Sequence, residues 1–347
     1  MRRPFMEKNI DEIKIAVVGA GSWGTTLANL LALKNYAVDL WVFERDVKDQ
    51  IESRRENRVF LPGIQLSPNI RPTGDIARVV AGKDIVVVVV PSHCMRAVAQ
   101  KMAPHLSPAS IVVSASKGIE NNSHLTMTGV LKDVLGHLEA DGFTVLSGPS
   151  FAKEVARHLP TAVTVASRDL GVAALVQHVL ATPYFRVYTH QDTIGVELGG
   201  SVKNVIAIAA GIIDGLALGL NTRAALITRG QTEIRRLGVK LGADPRTFTG
   251  LAGMGDLILT CTGDLSRNHM VGREIGAGRP LKEILSDMRM VAEGVRNAAS
   301  VYHLSRRIGV EMPICHQVHH VLCGDTAPQD ALFRLMTRDL KKELDEQ

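Results

Sequence analysis

Residues 85–90 are six consecutive branched aliphatics, Ile85 followed by five valines, and no other stretch restricts the architecture so strongly. A strand of this composition is apolar on both faces. Only a parallel sheet with helices packed on each side buries both. Residues 14–18, 37–43, 111–115, 144–147 and 162–166 read as further strands. Helical patterns stand between most of them. Leu27, Leu30, Leu31 and Lys34 recur at helical spacing, 45–53 reads as a polar exposed helix, and 75–81 as a short one. Strands alternating with helices indicate a doubly wound α/β sheet. Beyond about residue 189 the character changes. Residues 196–210, 221–237, 281–288, 293–308 and 329–337 are helical by period and length, and no strand pattern stands out among them.

A chain of 347 residues is too long for one ordinary core, and the change of pattern places a boundary near 190. The longest apolar run is far short of the roughly 20 residues a membrane span needs, so no integral membrane segment is expected. The basic start Met1-Arg2-Arg3 is followed by Glu7, Asp11 and Glu12 rather than by an apolar stretch, which is unlike a signal peptide. Four cysteines without a Cys-x-x-Cys pair fit a reducing compartment, so the expected location is the cytoplasm. A net charge of +5 without runs of like charge, and with only 4% aromatics, does not suit nucleic acid. It suits small anions drawn into a cleft.

Gly19-Ala20-Gly21-Ser22-Trp23-Gly24 follows the first strand and opens a helix. In that setting G-x-G-x-x-G is a dinucleotide turn: the first glycine makes the bend, the second admits the pyrophosphate, and the third lets helix and strand approach. Residues 1–190 are therefore expected to bind the dinucleotide and 191–347 to form a helical substrate domain. Glu44, at the end of the second strand, is placed to hold ribose hydroxyls, whereas its neighbour Arg45 suits a 2′-phosphate. NAD and NADP both remain open. Pro91 ends the valine strand, where backbone would face the nicotinamide.

The segment 201–210 is apolar nearly all round and so predicted to be buried, yet it contains Lys203 and Asn204. A buried lysine has a lowered pKa, in the range useful for proton transfer. The plainer alternative is a lysine whose stem lies on the core while its head reaches water. Lys117, in Ser116-Lys117-Gly118, follows a strand at its ligand-binding end, though a solvated loop lysine explains it as well. Asp256 sits alone in Gly253-Met254-Gly255-Asp256-Leu257, as a site carboxylate or as a helix cap. Ser266-Arg267-Asn268 stands ahead of a helical segment, a sound grip for phosphate or a surface turn.

Taken together and in order, these motifs resemble the bacterial-type NAD(P)-dependent glycerol-3-phosphate dehydrogenases. The resemblance runs from residue 14 to about 335. It also includes Val90-Pro91-Ser92, Leu146-Ser147-Gly148-Pro149-Ser150-Phe151-Ala152, Gly195-Val196-Glu197-Leu198-Gly199-Gly200, the run from Asn221-Thr222-Arg223 to Gly230, Thr260-Cys261-Thr262 and Glu293-Gly294. It implies an N-terminal doubly wound Rossmann-type sheet followed by an all-α C-terminal domain. It also implies reversible reduction of dihydroxyacetone phosphate to glycerol 3-phosphate for phospholipid synthesis, and a homodimer. Carried over residue by residue, Lys203 is the general acid/base, and Lys117, lying between substrate and cofactor and touching both, adds positive charge. Asp256 and Asn204 orient the lysine and the substrate, while Gly148, Ser150 and Thr260 line its pocket. Ser266, Arg267 and Asn268 take the phosphate. Ser22, Trp23, Ala152, Arg267, Val291 and Glu293 contact the cofactor. Phe43 stands where some relatives carry a polar residue near the adenosine.

Two rivals make different demands. A hydroxyacid dehydrogenase with a similar Lys-Asn pair has no need of Ser266-Arg267-Asn268. A non-catalytic dinucleotide sensor has no need of polar residues in an oily helix. Cys315, His319 and Cys323 share a helix face, but three ligands along one short helix cannot all converge on one ion, so no metal is expected.

Overall fold

The computed structural model describes residues 12–288 and 292–343. Strands β1 (Ile15–Val18), β2 (Val38–Trp41), β3 (Ile70–Thr73), β4 (Ile85–Val88), β5 (Ile111–Ser114), β6 (Phe143–Ser147), β7 (Thr161–Ser167) and β8 (Phe185–His190) form one sheet. Their spatial order is β3-β2-β1-β4-β5-β6-β7-β8. All neighbours are parallel except β6 and β7.

Helices α1 (Ser22–Leu33), α2 (Arg45–Arg54), α3 (Ile76–Val80), α4 (Met95–Met102), α5 (Met127–Val134), α6 (Ala152–Ala156) and α7 (Leu170–Leu180) connect or flank the strands. The aliphatic strands feed two cores. Ile15, Val17, Ile85 and Val87 face one, with residues of α1 and α7. Ala16, Val18, Val86 and Val88 face the other, with residues of α3, α4 and α5. The valine run thus does what its composition requires, although β4 stops at Val88 and Val89 already lies in the turn facing Gly19.

The rest is helical: α8 (Thr193–Gly215), α9 (Gly219–Lys240), α10 (Asp256–Thr262), α11 (Arg267–Gly276), α12 (Leu281–Ser286), α13 (Glu293–Ile308), α14 (Pro313–Cys323) and α15 (Pro328–Met336). Their core gathers around α8, whose Leu198, Val202, Val205, Ile206 and Ile208 are fully enclosed. By length and composition α8 could span a membrane, but its apolar residues are buried inside the protein.

Its closest neighbour is α11, and four glycines make that approach possible. A Cβ on Gly211 or Gly215 would collide with the α11 backbone, and one on Gly272 or Gly276 with the α8 backbone. Backbone-to-backbone contact at this crossing sets the start of α11, with Arg267 and Asn268, against the turn of α8 that carries Asn204.

Candidate active site

The strand order reverses at β1, between β2 and β4, and the carboxyl ends of the parallel strands share one edge. Open α/β sheets bind ligands at such a switch point. The glycine turn leaves β1 there. Gly19 has φ +113°, and a Cβ on it would collide with the Val89 carbonyl oxygen. Gly24 lies so close to Gly19 that a Cβ would strike the Gly19 carbonyl. Gly21 differs: nothing lies within 4 Å of its Cβ position, and it occupies the N-cap of α1 without a side chain to cap it. Two glycines fold the turn onto itself, and the third leaves bare backbone in front of a helix N-terminus. That is a cradle a pyrophosphate fits.

The neighbouring side chains frame it. The Ser22 hydroxyl donates to the Phe60 carbonyl at 2.6 Å. Half-buried Trp23 packs against Phe185, ring centroids 6.2 Å apart. The Ala152 carbonyl accepts from the Thr26 hydroxyl at 3.3 Å, bringing α6 beside α1. Past β2, Phe43 is 74% exposed, Glu44 is half-buried at the N-cap of α2, and Arg45 is exposed. Among the described residues neither Glu44 nor Arg45 makes a side-chain hydrogen bond, so both stay available to a ribose. Pro91 does not end the strand as expected: it lies three residues past the end of β4 and is exposed. Val291 lies outside the described residues.

Farther along the same edge the polar side chains converge. Lys203 is 5% exposed and does not send its head to water. Its ammonium is paired with Asp256 Oδ1 and donates to Thr260 Oγ1 at 2.6 Å. Asp256, 1% exposed, uses its other oxygen on Lys117, whose Nζ stands 2.5 Å from Oδ2. The Lys117 ammonium also lies 3.5 Å from the Gly148 carbonyl. Ser150 closes that loop by donating to the same carbonyl at 3.0 Å. Burial pulls the Lys203 pKa down from its ordinary value to about 7, the Asp256 charge opposes the fall, and Lys117 adds to it.

The capping alternative for Asp256 fails: it is the first residue of α10, Gly255 holds the cap position, and its carboxylate faces the lysines. A π-helical turn, Leu251–Gly255, leads into it.

The remaining candidates fall into two neighbouring groups. Ser266 N-caps α11, its hydroxyl accepting from the His269 N–H at 3.2 Å. Asn268 accepts from the Gly294 N–H at 2.9 Å, and Gly294 packs on the Asn204 carbonyl. Asn204, 6% exposed, makes no side-chain hydrogen bond among the described residues. Exposed Arg267 lies within electrostatic reach of Glu293. The Glu293 carboxylate receives both the N–H (3.1 Å) and the hydroxyl (2.5 Å) of Ser92, tying α13 to the loop after β4.

Sequence reasoning missed Ser201 and Asn297, which grip the Lys117 loop. A pointer to them was present: both are polar residues in buried helical stretches. The cysteines do not gather. Cys315 is enclosed in the helical core, while Cys323 is exposed beside His319.

A bare glycine turn and a buried lysine of lowered pKa, set along one sheet edge, define a pyridine-nucleotide dehydrogenase with a helical second half. Residues 14–173 match the family model for the N-terminus of NAD-dependent glycerol-3-phosphate dehydrogenase, and residues 192–333 the model for its C-terminus. The chain belongs to this family. Glycerol-3-phosphate dehydrogenase [NAD(P)+] of Syntrophobacter fumaroxidans is 56% identical over 331 residues, 95% of this chain and 97% of the relative. That of Geobacter sulfurreducens is 56% identical over 95% of this chain and 98% of its own length. The crystal structure of the Coxiella burnetii glycerol-3-phosphate dehydrogenase superposes with a TM-score of 0.90. It is 41% identical, over 94% of this chain and 99% of that one.

Proposed function

We propose that this dehydrogenase interconverts dihydroxyacetone phosphate and sn-glycerol 3-phosphate with NAD or NADP, and that Lys203 carries the proton. The observation that best supports the reading is a single buried carboxylate, Asp256, shared by lysines from the two halves of the chain. With both lysines protonated the trio carries one excess positive charge, which is costly to bury until an anionic substrate arrives. Gly19, Gly21, Ser22, Trp23, Gly24, Pro91, Ala152 and Glu293 would hold the dinucleotide, with Phe43, Glu44 and Arg45 toward its adenosine end. When bound it supplies or takes up the hydride.

The chain's own residues do the rest. Lys203 gives its proton to the ketone oxygen in reduction and reclaims it in oxidation. Lys117 keeps positive charge beside that oxygen as it becomes alkoxide-like. Asp256 and Thr260 aim the Lys203 ammonium, and the Asn204 amide is spare for substrate hydroxyls. Ser266, Arg267 and Asn268, at the N-terminal turn of α11, receive the phosphate. Gly148 and Ser150 bound the pocket. In this reading 1–190 carry the dinucleotide cradle and lend Lys117, Gly148 and Ser150 to the pocket. Residues 191–347 supply the rest of the substrate site together with Glu293, and the product feeds glycerophospholipid synthesis in the cytoplasm. Two copies pair, which sedimentation equilibrium would check.

The deciding measurement is steady-state turnover of dihydroxyacetone phosphate and of unphosphorylated dihydroxyacetone, each with NADH and NADPH. Loss of the phosphate handle is expected to lower kcat/KM by about a thousandfold or more, because remote binding energy positions the reacting carbon. Comparable rates on both ketones would favour the hydroxyacid-dehydrogenase rival.

The pKa near 7 sets opposite pH limbs in the two directions. Reduction needs the ammonium, so its kcat/KM is full on the acid side and falls as pH rises through about 7. Oxidation needs the free amine, so its kcat/KM rises over the same interval. Limbs of the same sign in both directions would remove Lys203 from this role.

A further inference from the structure

Lys117 reaches Asp256 from a loop, and one ion pair does not fix where a loop backbone lies. Three residues of the helical half do. The Gly118 N–H donates to Ser201 Oγ at 2.9 Å, and that hydroxyl donates in turn to the Glu197 carbonyl at 2.8 Å. The Ile119 N–H donates to Asn297 Oδ1 at 3.3 Å, and the Ile119 carbonyl accepts from Ser300 Oγ at 3.0 Å. Asn297 then donates through Nδ2 to the Ser201 carbonyl at 3.3 Å. Ser201, Asn297 and Ser300 are all buried. Gly118 itself has no room for a side chain, since a Cβ would meet Ser92 and come within 3.2 Å of Asn297 Oδ1.

We infer that Asn297, in the second turn of α13, is a positioning residue for Lys117, locking its loop to the turn of α8 that carries Lys203. The two ends of one amide serve two elements. Oδ1 takes the loop N–H, and Nδ2 takes a carbonyl two residues before Lys203. A side-chain amide offers an acceptor and a donor side by side, which suits both bonds at once. Asn297 is 1% exposed, so water does not substitute for either bond. The spacing between the two ammoniums is thus set by the backbones behind them, with Asp256 completing the fit.

This inference rests on the role given to Lys117 above, and its test separates the two. Asn297→Ala is compared in the wild-type and Lys117→Ala backgrounds, measuring kcat and KM for dihydroxyacetone phosphate, NADH affinity by fluorescence, and the pH profile. In the wild-type background kcat is expected to fall roughly ten- to hundredfold with NADH affinity unchanged, because misplacing a charged group by about 1 Å costs that much. The reduction limb moves to more alkaline pH, since Asp256, released by a displaced Lys117, holds the Lys203 proton more tightly. In the Lys117→Ala background the same substitution changes kcat by no more than about twofold, as expected for groups acting in series. Wild-type turnover in Asn297→Ala, or an undiminished loss in the Lys117→Ala background, would overturn the inference. Full turnover in Lys117→Ala alone would instead overturn the role of Lys117. Ser201→Ala, which removes the acceptor of the Gly118 N–H, carries the same comparison should Asn297→Ala fail to fold.

Discussion

Lys203→Ala is expected to lower kcat for dihydroxyacetone phosphate reduction by about three orders of magnitude, within the range a positioned general acid supplies. Dinucleotide affinity is expected to stay unchanged. The cradle at Gly19, Gly21 and Gly24 is built from backbone at the end of β1, whereas Lys203 projects from α8, so deleting its side chain leaves those contacts alone. The fold is expected to survive as well. Without Lys203, Asp256 still has Lys117 at 2.5 Å, so no buried carboxylate is orphaned. Lys203→Arg does not rescue, because a guanidinium keeps its proton at any working pH and cannot cycle between the two forms. Single-turnover NADH oxidation, an NADH fluorescence titration and thermal unfolding check the three parts. Turnover within tenfold of wild type would sink the assignment.

Lys203 stood out as a charge inside a helix apolar nearly all round, but helix geometry alone favoured a lysine whose head reaches water, and its 5% exposure is what decides against that. Asp256 was no clearer. Gly253-Met254-Gly255-Asp256 reads equally well as a loop ending in a cap. What decides the matter is the π-helical turn Leu251–Gly255, seated where Gly199 of α8 lacks a Cβ that would collide with the Ala252 carbonyl. That contact spans some fifty residues, and no local pattern encodes it.

The missed strands have a similar explanation. β3 carries Arg71 and Pro72, and β8 alternates buried Phe185 and Val187 with exposed Arg186 and Tyr188. Both lie at the edges of the sheet, where one neighbour is absent and the apolar signature that betrayed β4 is not required. The reversal of β7 against β6 had no signature either, since a strand's composition does not record its direction. For α11 only a helical segment after Ser266-Arg267-Asn268 was expected, without bounds, because glycines stand where a helix would show apolar residues. Gly272 and Gly276 face α8, and the packing they serve is between backbones.

Asp256→Asn is expected to do more damage than the loss of either lysine. The carboxylate is the sole counter-charge between Lys203 and Lys117 among the described residues, and the amide leaves two ammoniums facing each other with none. Removing one partner of a buried ionic set costs on the order of 3–5 kcal/mol. Part of that is relieved chemically, because Lys203 can lose its proton. Its pKa, already brought to about 7 by burial, falls further once the Asp256 charge that opposes the fall is gone. Reduction therefore suffers twice at neutral pH: the acid is largely deprotonated, and it is no longer aimed. The expected outcome is a loss of kcat of about a thousandfold or more, with the reduction limb displaced to the acid side and a lowered unfolding midpoint. Pairing the change with Lys203→Met distinguishes these contributions. The double variant removes one of the uncompensated charges and is expected to recover much of the stability and none of the turnover. An Asp256→Asn enzyme that keeps the wild-type pH limb would mean that the carboxylate does not govern the Lys203 proton, and the shared-carboxylate mechanism would fail with it.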